Sequence, residues 1–162
     1  MYARLAAIAP GDRCVVDGTD WQVAARAVLR LPDGEFDHLR LFVPPGMPTA
    51  AALAAGQAHW LRWRVDSHVA WLGAVTLPPG TDADTLASAP DFTLDGRRYR
   101  GLRDDRASVV SLDGDAGDAL REGEAVRVLD MTAPGDRLCA LWNDRVQWIA
   151  AGPRVTVDTV TR

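Results

Sequence analysis

Lysine is missing from this sequence, and several other residue types are scarce. All 18 basic residues are arginine, and only three of the 22 acidic residues are glutamate. Together with abundant alanine, glycine and proline, this bias is typical of a GC-rich genome rather than of a function. A phosphate-binding P-loop needs a lysine and is therefore excluded. The net charge of −4 gives no general attraction to nucleic acid or to an acidic membrane.

Cysteine and long apolar runs are also scarce. Cys14 and Cys139 are the only cysteines. They are too few and too far apart for a disulfide framework or a zinc site, so we expect two reduced core thiols. No run approaches the roughly 18 apolar residues that a membrane helix needs, and Pro10 interrupts the N-terminal apolar stretch too early for a signal peptide. We therefore expect a cytoplasmic protein that does not insert into a membrane.

Motifs for catalysis or metal binding are missing too. The only histidines are His38, His59 and His68, and the last two lie on opposite arms of a predicted hairpin, on the order of 20 Å apart. No HxH, HExxH, CxxC or GxSxG motif is present. The run DGDAGD at 113–118 resembles part of a calcium loop but lacks the later glutamate, which favours a solvated turn. The sequence predicts no metal, no cofactor and no catalytic residue.

Tryptophan, by contrast, is concentrated in one stretch. Three of the six tryptophans lie in residues 59–75, HWLRWRVDSHVAWLGAV, where apolar and polar residues alternate on both sides of a turn at 66–68. This pattern is typical of a β-hairpin with one buried face. A three-residue turn would place on that face Leu61, Trp63, Val65, Val69, Trp71 and Gly73. A two-residue turn would instead group Leu61, Trp63, Val65, Ala70, Leu72 and Ala74.

A weaker copy of this hairpin occupies residues 138–151, LCALWNDRVQWIAA. Residues 68–74 and 145–151 align without gaps, which places Trp71 on Trp148. The three-residue turn gathers a second apolar set here, namely Leu138, Ala140, Trp142, Val146, Trp148 and Ala150. Because only this register gives an apolar face in both hairpins, we expect it in both, with those faces turned inward.

The remaining sequence consists of short strand-like runs separated by DG, PDG and PG turns, at intervals of roughly eight to twelve residues. This spacing predicts an all-β fold with little helix. We expect two related small β-barrel or sandwich units, at 1–76 and 91–162, joined by a polar linker at 77–90. The alanine-rich segment 49–57 forms a short helix or an ordered loop. Because each unit is small for a stable core, the duplicated units are expected to pack together.

Two arginine-rich patches are candidates for binding. Trp60, Arg62 and Arg64 alternate on the face opposite the apolar one, and exposed Trp beside Arg is the composition of an interface hot spot. The alternative is that this face is covered by the other unit or by the segment 44–57. The second patch contains Arg97, Arg98, Arg100, Arg103 and Arg106 around Tyr99. Neighbouring aspartates nearly cancel its charge, so nucleic-acid binding is not expected.

Short motifs follow one another in a fixed order in both halves. The second half has FTLDGRRY at 92–99, ASV at 107–109, GEAV at 123–126 and GPRV at 152–155, and the first half has GDR at 11–13 and WQV at 21–23. In this order the chain resembles a bacterial domain family of unknown function. The resemblance implies a β-rich module without an assigned activity, encoded beside phage-shock-type membrane-stress genes and aminopropyltransferase-like genes. It supplies no catalytic residues.

Two functions are compatible with these observations. The favoured one is a non-enzymatic adaptor in a membrane-stress or envelope system, which binds a protein partner or a second copy of itself. The alternative is a small-molecule site, for example for a polyamine, or an enzymatic site, in the cleft between the two units. The lack of catalytic dyads favours the adaptor.

Overall fold

The computed structural model describes residues 2–64, 69–156 and 160–162. Strand makes up 55% of the chain and helix 10%, which confirms the prediction of an all-β fold with little helix. The helices are α1 (Tyr2–Ala6), α2 (Thr49–Ala54) and α3 (Ala83–Ser88). The strands are β1 (Arg13–Val16), β2 (Thr19–Arg30), β3 (Phe36–Val43), β4 (His59–Trp63), β5 (Val69–Ala74), β6 (Asp91–Leu94), β7 (Arg97–Gly114), β8 (Ala125–Ala133), β9 (Asp136–Trp142), β10 (Gln147–Val155) and β11 (Val160–Thr161).

All these strands belong to one antiparallel sheet, which closes into an eight-stranded barrel. The sheet order is β11-β1-β2-β3-β4-β5-β10-β9-β8-β7-β6, and the barrel is closed by pairing of β2 with β7. Each of these two strands is long enough to pair with two different strands along the same edge. The first part of β2 pairs with β1 and its second part with β7, while the first part of β7 pairs with β6.

The predicted units at 1–76 and 91–162 therefore do not form separate barrels. Each contributes four strands to one closed wall, and the two sets meet where β2 pairs with β7 and where β5 pairs with β10. The predicted linker at 77–90 contains α3, whose Ala83 and Leu86 are buried. Asp82 caps this helix by accepting a hydrogen bond from the N–H of Thr85.

The barrel interior is filled with side chains, as expected for eight strands. Alternate residues of each strand point inward and form one apolar cluster, in which Leu29, Leu41, Leu72 and Leu141 are almost fully buried. The register explains this, because residues directly opposite one another in an antiparallel sheet share a face. A closed wall buries apolar residues that a separate four-stranded unit would leave exposed.

Two further apolar clusters lie on the outside of the wall. One contains Leu61, Trp63 and Trp71 and is covered by α1 and β1. Arg40 fastens α1 there, since its guanidinium donates to the carbonyl oxygens of Ala6 and Ile8 at 3.2 and 2.7 Å. Burial lowers the pKa of this arginine to about 10. The other cluster is covered by α3 and β6.

The two ends of the barrel differ. At one end, called here the capped end, α2 and the loop at 115–121 insert Ala52, Ala116 and Leu120 into the interior cluster. Thr49 joins the two covers by donating to the carbonyl oxygen of Asp115 at 3.1 Å. At the opposite end, called the polar end, β8 and β9 are joined by a tight turn at 134–135. None of the three helices in the described part of the chain covers this end.

The shared face of the first hairpin is as predicted, with Leu61, Trp63 and Trp71 in one cluster, but the register of both hairpins differs from the prediction. Leu61 lies opposite Trp71, whereas a three-residue turn at 66–68 would place Leu61 opposite Gly73. The turn itself, with Val65 and His68, lies outside the described residues. In the second hairpin Trp148 lies opposite Leu141. The carboxamide oxygen of Asn143 accepts hydrogen bonds from the N–H groups of Arg145 and Val146, which makes a four-residue loop.

The direction of the first apolar face also differs from the prediction. Trp63 and Trp71 face out of the barrel, into the cluster beneath α1, while Trp148 faces into the barrel. The predicted superposition of Trp71 on Trp148 is therefore wrong, even though both lie on the last strand of their hairpin. Alternation along a strand reports which residues share a face, but not which face is inside.

Candidate functional site

The predicted binding residues Trp60, Arg62 and Arg64 point into the barrel. Trp60 is 4% exposed, and its ring stacks on that of Trp148 with centroids 5.0 Å apart and an interplanar angle of 6°. Arg62 is 7% exposed. Of the two possibilities left by the sequence, the covered face is the one found. Its cover comes from the predicted second unit at 91–162, including Trp148 and Asp130, which here forms the opposite wall of the same barrel.

Arg62 and Arg64 belong to a buried ion-pair cluster with Asp37 and Asp130. The guanidinium of Arg62 donates to Oδ2 of Asp37 at 2.6 Å and to Oδ2 of Asp130 at 2.9 Å. Arg64 donates to Oδ2 of Asp37 at 3.1 Å, and its Nη2 lies 3.8 Å from Oδ2 of Asp130. Three of the four side chains come from β3, from β4 and from the residue directly after β4, and Asp130 comes from β8, so the cluster joins both halves of the chain.

The charges of this cluster are fixed by one another. Burial alone would raise the pKa of Asp37, but Arg62 and Arg64 outweigh it and lower that pKa. Burial would also lower the pKa of Arg62, but nearby negative charge, above all that of Asp130, raises this pKa well above its ordinary value. The thiol of Cys139 lies 3.0 Å from Arg62 Nη1, and burial raises its pKa to about 12. Asp37 and Arg62 are therefore both ionised at neutral pH.

A second, more accessible layer of charge lies between this cluster and solvent. Arg103 contacts Oδ2 of Asp105 at 2.6 Å and Oδ2 of Asp33 at 3.1 Å, and its side chain is 35% exposed. Burial raises the pKa of Asp105, with Arg64 opposing the rise. Charged side chains thus extend from the barrel interior to its polar end, where a ligand can reach the outer ones.

The basic stretch around Tyr99 is divided by the structure. Arg97 contacts Oδ1 of Asp136 at 2.8 Å, and Arg98 pairs with Asp91. Within the residues described, Arg100 and Arg106 contact no carboxylate. Neither does Arg137, whose Nε is buried without a hydrogen-bond partner.

The two histidines in the described residues, His38 and His59, each lie against tryptophan rings. His38 stacks on Trp63 with centroids 5.3 Å apart, and His59 packs between Trp21 and Trp71 with centroids 4.8 and 4.9 Å away. Nδ1 of His59 is buried without a partner, and burial lowers the pKa of this residue. His68 lies outside the described residues. No group of three metal-ligating side chains occurs in the described ranges, and none of their helices is long and apolar enough to cross a membrane.

A groove of about 270 Å³ lies at the capped end. Its wall combines backbone from the β2 bulge at Ala24 with the side chains of Gln22, Met47 and Thr49, and Asp115 is the one charged residue that lines it. Its chemistry differs from that of the polar end, because the described residues of its wall include one acidic residue and no arginine.

Sequence reasoning found Arg62 and Arg64 but missed their partners. Asp37 lies in β3 on the face of Leu39 and Leu41, and Asp130 lies in β8 on the face of Val126 and Val128. A carboxylate at an apolar position of an alternating strand was the available signal. Because buried charges are almost always paired, two such carboxylates would have indicated buried arginines.

Comparison of the chain with protein-family models, with curated proteins and with solved structures finds no match. The fold and site thus define its class in structural terms, an eight-stranded closed barrel with a charged cluster inside one end.

Proposed function

We propose that this chain is a non-enzymatic binding module, an adaptor that docks a protein partner at the polar end of its barrel. The observation that carries the proposal is the difference between the two ends. The capped end is filled by apolar side chains of α2 and the 115–121 loop, whereas the polar end finishes in accessible charged side chains such as Arg103. The mouth of a β-barrel is a common place for recognition.

The chemistry of the buried groups supports binding over catalysis. A general acid or base needs a pKa near the working pH. Asp37 is held ionised by two arginines, and Cys139 and Tyr99 have pKa values raised to about 12, in both cases chiefly by burial. In this proposal, the buried ion-pair cluster therefore has a structural role and holds the accessible charged side chains of the polar end in place.

The cellular context and the origin of the chain are also part of the proposal. The sequence resemblance supports a partner from a membrane-stress or envelope system, met in the cytoplasm. An internal duplication is supported by the order of the strands, since β1–β5 and β6–β10 pair in the same sequence of neighbours. One β-unit, duplicated and closed on its copy, would give this barrel.

The test compares charge reversals at the two ends. Arg103→Glu and Arg154→Glu change the polar end, and Arg121→Glu is a matched control beside the capped end, where the Arg121 side chain is 60% exposed. Immobilised wild type and variants are used to capture partners from a lysate of the source organism. We expect one protein to be captured by wild type and by the control but lost from both polar-end variants. Equal capture by all four proteins would contradict the proposal.

A second candidate, binding of a small amine such as a polyamine, is favoured by the groove at the capped end. Among the described residues, its wall includes Asp115 and no basic residue. Spermidine should then raise the melting temperature of wild type but not of Asp115→Asn. No shift with wild type would remove this candidate.

A further inference from the structure

One sheet face at the polar end carries three arginines that form no ion pair with a carboxylate in the described residues. Thr132 lies opposite Arg100 on one side and opposite Arg137 on the other, and Arg137 lies opposite Gly152. Residues opposite one another share a face, and neighbouring strands lie about 4.8 Å apart, so the Cα atoms of Arg100 and Arg137 are about 10 Å apart. Arg154, two residues beyond Gly152, lies on the same face. We call this set the arginine face.

These arginines differ from the others at the polar end in their partners. Arg62, Arg64 and Arg103 each contact two carboxylates. In the described part of the chain, Arg100, Arg137 and Arg154 contact none.

The contacts that the arginine face does make are few. Nη2 of Arg154 donates to the hydroxyl of Thr132 at 3.2 Å, and Nε of Arg137 is buried without an acceptor. Gly152, the residue opposite Arg137, has no side chain that could cover it. Arg137 is thus half-buried, and its guanidinium contacts no carboxylate in the described residues.

Such an arrangement opposes folding. Burial lowers the pKa of Arg137, Arg154 and Arg62 lower it further, and Asp130 opposes them. Like charges on neighbouring strands repel, and a buried donor without an acceptor costs its lost hydration. A neutral side chain would be more stable at this position. Local violations of this kind are expected where function requires them.

We propose that the arginine face binds an oxyanion, a carboxylate or a phosphate, between Arg137 and Arg154 beside the hydroxyl of Thr132. Guanidinium groups donate two parallel hydrogen bonds to such groups, and Nε of Arg137 is one of the donors left free. Arg100 lies within reach as a third cation. This inference rests on the proposed function, since it names the chemistry recognised at the polar end: an acidic side chain or C-terminus of a partner, or a free phosphate.

The experiment titrates the whole chain with inorganic phosphate and, separately, with acetate, at constant ionic strength maintained with chloride. The readouts are the melting temperature and the NMR signals of the arginine Nε–H groups. We expect saturable binding that shifts the Arg137 signal. Arg137→Gln and Arg154→Gln should each weaken it about tenfold or more, the usual effect of losing one charge-assisted hydrogen bond. Stronger binding of acetate would indicate a carboxylate of a partner, and stronger binding of phosphate a free phosphate.

The matched control is Arg106→Gln. Arg106 lies on the same strand as Arg100, is exposed and contacts no carboxylate in the described residues, but it lies on the outer face of the barrel. Its variant should bind within about twofold of wild type, as expected of a surface change remote from the site. Equal weakening by all three changes would mean general screening and would overturn the inference. So would the absence of any saturable response in wild type.

Folding of the variants provides a second check. Arg137→Met removes the unpaired charge, so it should abolish oxyanion binding without lowering the melting temperature. A lower melting temperature would show that Arg137 stabilises the fold and would contradict its assignment to binding. Oxyanion binding by wild type with unchanged partner capture by polar-end variants would leave this inference standing while the adaptor proposal fails. Loss of capture without oxyanion binding would do the reverse.

Discussion

Replacing Arg62 by methionine tests whether the buried ion-pair cluster holds the barrel together. Methionine keeps most of the aliphatic volume and removes the guanidinium. Asp37 then retains Arg64 at 3.1 Å, whereas the nearest remaining cation to Asp130 is Arg64 Nη2 at 3.8 Å. One buried carboxylate, not two, is left without adequate compensation. Breaking a buried pair in this way costs about 3–5 kcal/mol, a large part of the roughly 5–15 kcal/mol that stabilises a typical domain.

Urea unfolding at pH 7, followed by tryptophan fluorescence, measures this loss. Adding Asp130→Asn to Arg62→Met removes the uncompensated charge and should recover about 2 kcal/mol or more of the loss. The matched control is Arg98→Met, which breaks the exposed pair with Asp91 and should change the free energy of unfolding by at most about 0.5 kcal/mol. A loss below about 1 kcal/mol for Arg62→Met, or no recovery with Asp130→Asn, would refute the reasoning.

The same variant has a predicted pH dependence. In wild type the lowered pKa of Asp37 adds stability that is complete above the unfolded value of about 3.9 and is lost below it. In Arg62→Met, Asp37 loses the cation that lowers its pKa most, so less of this stability is present to be lost. The stability difference between variant and wild type should therefore shrink as pH falls below the unfolded value of about 3.9. A constant difference would contradict this assignment.

Three further predictions concern packing and protonation. Trp60→Ala should cost about 3–5 kcal/mol, because it opens a cavity beside Trp148 inside the barrel, and adding Arg62→Glu should unfold the chain, as seen by circular dichroism. Gly152→Ala should cost about 2 kcal/mol or more, since its Cβ would overlap Trp71 backbone, whereas Gly101→Ala, with its nearest contact at 3.9 Å, should be tolerated. The melting temperature should decrease as the pH is lowered below about 6.5, the pKa of histidine in the unfolded chain, because burial lowers the pKa of His59 in the folded state. His59→Phe should reduce that fall, and an unchanged pH profile would show that His59 does not cause it.

The arginines of the candidate site could be predicted from the sequence, but the aspartates that pair with them could not. Arg62 and Arg64 stood out because they alternate beside tryptophan in a hairpin. Asp37 and Asp130 lie about 25 and 68 residues from Arg62 along the chain, and only closure of the barrel brings them within hydrogen-bond distance. The same closure leaves Arg137 and Arg154 without a carboxylate partner among the described residues, which no local pattern indicated.

The sequence alone determined that this protein is built of short antiparallel strands, because turn residues and period-two alternation act within a few residues of one another. It also determined which residues of the first tryptophan hairpin share a face, since Leu61, Trp63 and Trp71 all lie in one cluster. Tertiary structure decided which face became the interior. Pairing of β2 with β7 and of β5 with β10 joins strands more than 75 residues apart, and it turns Trp60 and Arg62 inward while α1 covers Trp63 and Trp71. Alternation along a strand does not show which of its two faces is the interior, and only closure of the barrel decides this.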